Sequence, residues 1–195
     1  MANKVQYGVS GLTFIPLLTE GSASEAPTWD TTKKISVPGT VQISVDYDGD
    51  ESNFAADNNP KYFSSRSNSG NSGEIENALI PDELKALAYG WRVDSDGGLV
   101  EVADGKPTRF AMGYQIEGDE SNRRVWHYNV TLGFPDEEHN TVDESIEPDT
   151  QTLSWSGAQV NNSGERVYRY GVPSSASTYG AFLDSVALPK PAAGN

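Results

Sequence analysis

From Arg123 to Phe134 the chain alternates two sets of side chains: Val125, His127, Asn129 and Thr131 interleave with Trp126, Tyr128, Val130 and Leu132. Successive side chains on a strand point to opposite faces, so this period of two requires a long β-strand with one apolar face. Related patterns predict strands over Val5–Tyr7, Leu12–Leu18, Lys33–Val37, Val41–Val45, Glu74–Leu79, Leu99–Val102, Arg109–Glu117, Thr150–Trp155 and Arg166–Tyr170. Pro38-Gly39, Asp94-Ser95-Asp96-Gly97-Gly98 and Gly118-Asp119-Glu120-Ser121-Asn122 punctuate them as turns. With 19 Gly and 11 Pro in 195 residues, the composition suits an antiparallel β-rich domain better than a helical bundle.

One helix interrupts this pattern, over Ile80-Pro81-Asp82-Glu83-Leu84-Lys85-Ala86-Leu87-Ala88-Tyr89-Gly90. Pro81 fits the first turn, where its missing N–H costs nothing, and Asp82 and Glu83 favour the positive end of the helix dipole. Gly90 stops the helix. Leu84, Leu87 and Ala88 recur at helical spacing and make one apolar stripe, so a short helix lying on a sheet is expected, with Trp91 packed beneath it.

The segment Asp46 to Gly73 is the unusual one. It is too polar and too rich in Gly, Asn and Ser to form a core, yet it lies between two strand patterns and carries Phe54, Tyr62 and Phe63. A long loop inside a compact domain usually has a function, and these aromatic groups suggest a loop that is flexible alone and orders on a partner, the natural candidate being another copy of the chain.

Charge and composition exclude several classes. Net charge is −14, which argues against a nucleic-acid grip, because that grip depends on Lys and Arg displacing phosphate counterions. Cysteine is absent, so disulfides, thiolate catalysis and Cys-based zinc sites are not available. No apolar run is long enough for a membrane-spanning helix, and the N-terminal sequence has no apolar signal-peptide core, so synthesis and retention in a cytoplasm is the expectation.

Candidate chemistry is sparse. His127 and His139 are the only histidines; they are not spaced as a metal pair, and His127 reads as an ordinary sheet residue. No Gly-x-Ser-x-Gly elbow, phosphate-binding loop or His-Glu-x-x-His is present. Asp46, Asp48 and Asp50, with Asp57 further on, resemble a calcium loop superficially. The glycine falls at Gly49 instead of after the third acid, the last ligand would be Asp instead of Glu, and no helices flank the run. A glycoside hydrolase using two of the many acids would need a pocket and a carboxyl of raised pKa. A carbohydrate-binding β-sandwich, with Trp29, Tyr62, Trp126 or Trp155 stacking on sugar rings, is the main alternative to an assembly role. No catalytic residue, metal site or cofactor is assigned.

The order of short segments carries a resemblance. Val37-Pro38-Gly39-Thr40-Val41, Phe54-Ala55-Ala56-Asp57-Asn58-Asn59-Pro60-Lys61-Tyr62, Ala78-Leu79-Ile80-Pro81-Asp82 and Gly90-Trp91 are followed by Lys106-Pro107, Phe110-Ala111, Gly113-Tyr114, Gly118-Asp119, Arg124, Tyr128-Asn129 and Glu144-Ser145-Ile146-Glu147-Pro148-Asp149-Thr150. In this order, over roughly residues 1–172, the chain is similar to the major tail (tail tube) proteins of long-tailed bacteriophages, in the phi13-like branch. The resemblance implies a β-sandwich or small barrel with one flanking helix, forming hexameric rings that stack into a hollow tube through which phage DNA passes. It implies a virion protein, assembled in the host cytoplasm. Its partners would be itself, a tape measure protein in the lumen, a tail terminator and a distal tail or initiator protein, with DNA transiting unbound. By position, 46–73 matches the loop that reaches the neighbouring ring, with Asp46, Asp48, Asp50, Phe54, Asp57, Asn58, Pro60, Tyr62 and Phe63 as its contact residues. Residues 173–195 would be a C-terminal extension, partly mobile because its end thins into Pro-Lys-Pro-Ala-Ala-Gly-Asn. The sequence leaves open whether Tyr179, Phe182 and Leu183 clip onto the domain or onto a neighbour. Ending near residue 195, without the immunoglobulin-like domain some relatives carry, the chain is expected to give a plain tube.

Overall fold

The computed structural model describes residues 6–118, 121–137, 141 and 149–190. In chain order its strands are β1 (Val9–Thr19), β2 (Thr28–Trp29), β3 (Ile35–Ser36), β4 (Thr40–Ile43), β5 (Asp46–Asp48), β6 (Glu51–Ala56), β7 (Asn59–Arg66) and β8 (Gly70–Asn77). After helix α1 (Asp82–Tyr89) come β9 (Arg92–Val93), β10 (Leu99–Val100), β11 (Phe110–Ile116), β12 (Arg124–Asp136), β13 (Gln151–Ala158), β14 (Val160–Asn162), β15 (Glu165–Val167) and β16 (Arg169–Val172). The expected β-rich class with one short helix is the class found.

The antiparallel path β1–β11–β12–β13–β8–β4 curls into a small barrel. Closure depends on one short stretch of chain: β3 pairs with β1 through Thr13↔Ser36 and Phe14↔Ile35, and β4, a few residues later, pairs with β8. Pro38-Gly39 is the corner between them, with Gly39 at φ +82°. The buried Asn77 amide holds that corner by donating to the Pro38 carbonyl at 3.0 Å. An edge strand that changes partners in this way leaves fewer unpaired backbone groups to recruit other chains.

Inside lie Leu12 and Phe14 of β1, Phe110, Met112 and Tyr114 of β11, Ile75 of β8, and Leu153 and Trp155 of β13. Helix α1 closes this core with Leu84 and Ala88, while Leu87 packs at its margin, as the stripe predicts. The helix begins two residues later than expected, at Asp82: Ile80 lies before it, and Pro81 is its N-cap at φ −59° and ψ 137° instead of part of the first turn, with its carbonyl accepting from Lys85 N. Gly90 ends the helix in the left-handed region at φ +70°.

The long strand departs from simple alternation. Phe110↔Val130 and Met112↔His127 are successive partners of β11 and β12, so β12 carries one residue more than β11 across this interval. Such a bulge reverses the parity of facing. Val125 therefore points into the same core as Val130 and Leu132, and Trp126 and Tyr128 point out. The outer face is not solvated either: Val125 through Val130 are all buried.

What covers that outer face is the C-terminal segment. Phe182 is 1% exposed and packs with Ile15, Ala111, Trp126, Tyr128, Val160 and Val172. Trp126 Nε1 donates to the Phe182 carbonyl at 2.8 Å, the Tyr128 hydroxyl to the Ala187 carbonyl at 2.7 Å, and Lys34 Nζ to the Leu183 carbonyl at 2.6 Å. The extension from Pro173 thus packs on the domain as far as Pro189, whose carbonyl accepts from Asn162 Nδ2, and Tyr179, Phe182 and Leu183 clip onto the chain's own sheet. The remainder, 191–195, lies outside the described residues.

Several expected boundaries move. Val5 lies outside the described residues, and the first strand begins at Val9, after Gln6 and Tyr7. The strand expected over Leu99–Val102 stops at Val100, and the one over Arg166–Tyr170 is divided because β15 pairs with β14 while β16 pairs with β12. His139, Asp119 and the run Glu144–Pro148 lie outside the described residues.

Candidate functional site: an exposed β-ribbon

The segment expected as a loop over 46–73 is mostly strand. Asp46↔Ser72, Tyr47↔Asn71 and Asp48↔Gly70 tie its base to the barrel. The ladder continues outward as Ser69 and Ser67 donate their N–H groups to the Asp48 and Asp50 carbonyls at 2.8 and 2.9 Å. Beyond that, Glu51↔Arg66, Ser52↔Ser65, Asn53↔Ser64 and Phe54↔Phe63 pair β6 with β7. The tip is Asp57-Asn58, with φ of +52° and +62°. Two consecutive left-handed residues form the type I′ turn, whose twist matches a two-stranded ribbon, and Asn and Asp tolerate that region best after Gly. The ladder was hidden in the sequence because neither face of the ribbon is buried, so no hydrophobic period exists to reveal it.

From Asp48 to the tip, roughly nine residues at ~3.3 Å each carry the ribbon about 30 Å from its base. Every residue of β7, and all of β6 except Ala56, is exposed. A lone two-stranded ribbon is only marginally stable in water, and its internal support is modest. Lys61 Nζ and Arg66 reach Glu51 at 2.9 and 3.1 Å. Hydrogen bonds from Lys61, Asn53 and Arg66 hold the Glu51 carboxyl below the ordinary carboxylate range, the direction opposite to what a general acid needs. Lys61 N also donates to Asn59 Oδ1 at 3.0 Å, and Pro60, which has no N–H, lies in the interval where the register of β6 and β7 shifts.

The aromatic groups are not buried by this arrangement. Phe54 and Phe63 stand directly opposite one another, and both are at least 60% exposed. Tyr62, also exposed, precedes Phe63 where β7 carries two residues more than β6. Asp46, Asp48 and Asp50 alternate at the base, where Asp48 Oδ1 accepts from Ser72 Oγ at 3.1 Å. Asp57 is at the far end of the ribbon and does not converge with them. No group of three metal-ligating side chains occurs among the described residues.

The sequence reading missed the pins at the base. Arg169 of β16 donates to the Tyr47 hydroxyl, and the Tyr168 hydroxyl donates to the Asn68 carbonyl at 3.1 Å. Both fix the direction in which the ribbon leaves the barrel. Asn71 of β8 is also inside, in contact with Nδ1 of His127 at 3.3 Å. His127 is fully buried between Tyr114 and Trp155, and burial pushes its imidazole down to about 3. It is neutral at physiological pH and is a core residue instead of a surface one.

The tryptophans considered for sugar stacking are placed otherwise. Trp126 and Trp155 are buried, and Trp29 is half-buried with Nε1 donating to the Tyr128 carbonyl at 3.2 Å. They do not form an exposed platform with Tyr62. No helix among the described residues is long and apolar enough to cross a membrane.

Set against known proteins, the chain matches no family model and no curated protein.

Proposed function

We propose that this chain is the repeating subunit of a self-assembling tube, a tail tube protein whose ribbon over 46–73 joins one ring of subunits to the next. One observation carries the reading. The central part of β12, Val125 through Val130, is covered on both faces of the barrel, whereas the ribbon displays Phe54, Tyr62 and Phe63 to solvent, and none of the described residues covers them. Exposed aromatic groups on a projecting element are what a protein contact requires, and a marginally stable ribbon gains its order when it docks.

The rest of the tail-tube picture follows from the resemblance in the sequence. Subunits form hexameric rings and the rings stack into a hollow tail within a virion. A tape measure protein fills the lumen during assembly, and terminator and initiator proteins close the two ends. DNA passes without specific binding, favoured by a chain carrying 28 acidic against 14 basic side chains. In this reading the protein is structural and not an enzyme.

The test is electron microscopy of the full chain over a range of concentrations, with sedimentation alongside, for the wild type and for a deletion of residues 53–62. The wild type is expected to give rings or hollow tubes, and the deletion variant a folded domain that gives neither. Tubes from the deletion variant would refute the role of the ribbon. A wild-type chain that remains monomeric even when seeded with the initiator end of a tail would refute the tube.

A further inference from the structure

Two clusters of exposed aromatic side chains, Phe54, Tyr62 and Phe63 on the ribbon and Phe134 at the end of β12, lie at opposite ends of the barrel. β8 leaves the ribbon at Gly70 and finishes at Asn77, and its eight residues span about 26 Å at ~3.3 Å each. The registers Asp136↔Thr152 and Thr152↔Glu76 place the last residues of β12 beside the end of β8 that is far from the ribbon. There α1, the β9–β10 hairpin and the end of β12 enclose a groove of about 470 Å³, lined by Lys85, Trp91, Leu99, Glu101, Phe134 and Glu137 among others. Phe134 is 68% exposed. It stacks on Tyr89 at 4.8 Å and near Trp91 at 6.1 Å between ring centres, so the groove has an aromatic floor already fixed in position.

We propose that this groove receives the ribbon tip of a second copy of the chain, with the Phe54–Phe63 pair seated against Trp91 and Phe134. The inference rests on the tube reading and names the acceptor for its ring-to-ring contact. A donor and an acceptor at opposite ends of one subunit cannot satisfy each other within that subunit. Joined between copies they make a head-to-tail contact, which propagates as an open stack instead of closing as a dimer.

Charge is arranged to permit the contact. The three acids Asp46, Asp48 and Asp50 are confined to the base of the ribbon. Residues 51–66 contain Glu51 and Asp57 against Lys61 and Arg66 and so carry no net charge, in a chain whose total is −14. Lys61 and Arg66 are the only bases in 46–73, and both pair with Glu51; at the groove Glu137 pairs with Lys85, which leaves the groove lining with one net negative charge from Glu101. A ribbon tip of zero net charge can approach this nearly neutral groove without the repulsion that two average surfaces of the protein would meet.

The chain has no cysteine, so a cross-link can report the contact directly. Ser65→Cys is exposed on the ribbon and Glu101→Cys lies at the groove, and both leave the aromatic groups in place. Tubes of the double variant, oxidised after assembly, are expected to give a ladder of covalent multimers on denaturing gels, whereas either single variant stops at dimers. Phe134→Glu is expected to keep the wild-type melting temperature to within a few degrees and to lower the pelleted fraction at least tenfold. Visible tubes of the double variant that yield no ladder, or only dimers, would overturn the groove as acceptor while leaving the tube itself standing. Normal tubes from Phe134→Glu would do the same. Failure of the wild type to assemble at all would remove both readings.

Discussion

If the C-terminal segment is part of the folded domain, then Phe182→Ala should behave as a core mutation although it lies in a stretch that reads as a trailing extension. The phenyl ring is 1% exposed, sits at 5.6 Å from the Tyr170 ring, and fills the space over Trp126 and Tyr128. Its backbone carbonyl, which accepts from Trp126 Nε1, survives the substitution. The loss is therefore the transfer and cavity cost of the ring alone, about 3–5 kcal/mol. For a chain of this length each kcal/mol lowers the melting temperature by about 2–4 °C, so a fall of roughly 6–20 °C is expected. Urea denaturation followed by tryptophan fluorescence, with thermal unfolding by circular dichroism, measures both. Phe63→Ala is the control: its ring is 60% exposed, and its removal should change stability by less than about 1 kcal/mol. A Phe182→Ala variant within about 0.5 kcal/mol of wild type would show that the segment contributes no core in solution.

Acid should destabilise the protein through His127. Its folded value is about 3 against an ordinary 6.5, so the unfolded chain takes up a proton below about pH 6.5 while the folded chain refuses it until about pH 3. The stability held by the neutral ring is complete above pH 6.5 and is lost as pH falls toward 3; between pH 7 and 5 the loss is about 2 kcal/mol, measurable from urea midpoints. His127→Gln should flatten that slope, and an unchanged slope in the variant would refute the assignment. Gly90→Ala should cost more than about 1 kcal/mol, because the position has φ +70° and an added Cβ would stand 2.3 Å from the Lys106 nitrogen. Equilibrium unfolding tests this, and a neutral outcome would mean that the helix end can relax.

The depth of the polar network explains why the ribbon is positioned instead of merely attached. Tyr47 and Asn71 are register partners at its base. Tyr47 is bound by Arg169 on one side, and Asn71 meets His127 inside the barrel on the other. The projecting element is thereby connected to the buried interior, so its direction is set by the barrel while its outer half is exposed to solvent. Where the arm points thus follows from residues more than 50 positions away in sequence.

The residues by themselves determined the β-rich class, the one α-helix among the described residues with its stop at Gly90, and the presence of an unusual aromatic-bearing segment after β4. Each of these rests on local physics: the period of two, the fixed φ of Pro81, the left-handed freedom of Gly90, and a composition over 46–73 that cannot make a core. Tertiary structure decided the rest. A single extra residue in β12 reversed which of its side chains face inward, and no local pattern marks such a bulge because both faces of the strand are buried. The ribbon shows no period because neither of its faces is buried. The C-terminal segment reads as an extension because its anchor, Phe182, acquires meaning only opposite Trp126 and Tyr128. The groove at Trp91 and Phe134 joins residues from α1, β10 and the end of β12 that no window of sequence contains together. Local rules report how a segment folds against an assumed core. Which surfaces remain uncovered, and so which are available for assembly, is settled only when all the segments have been packed.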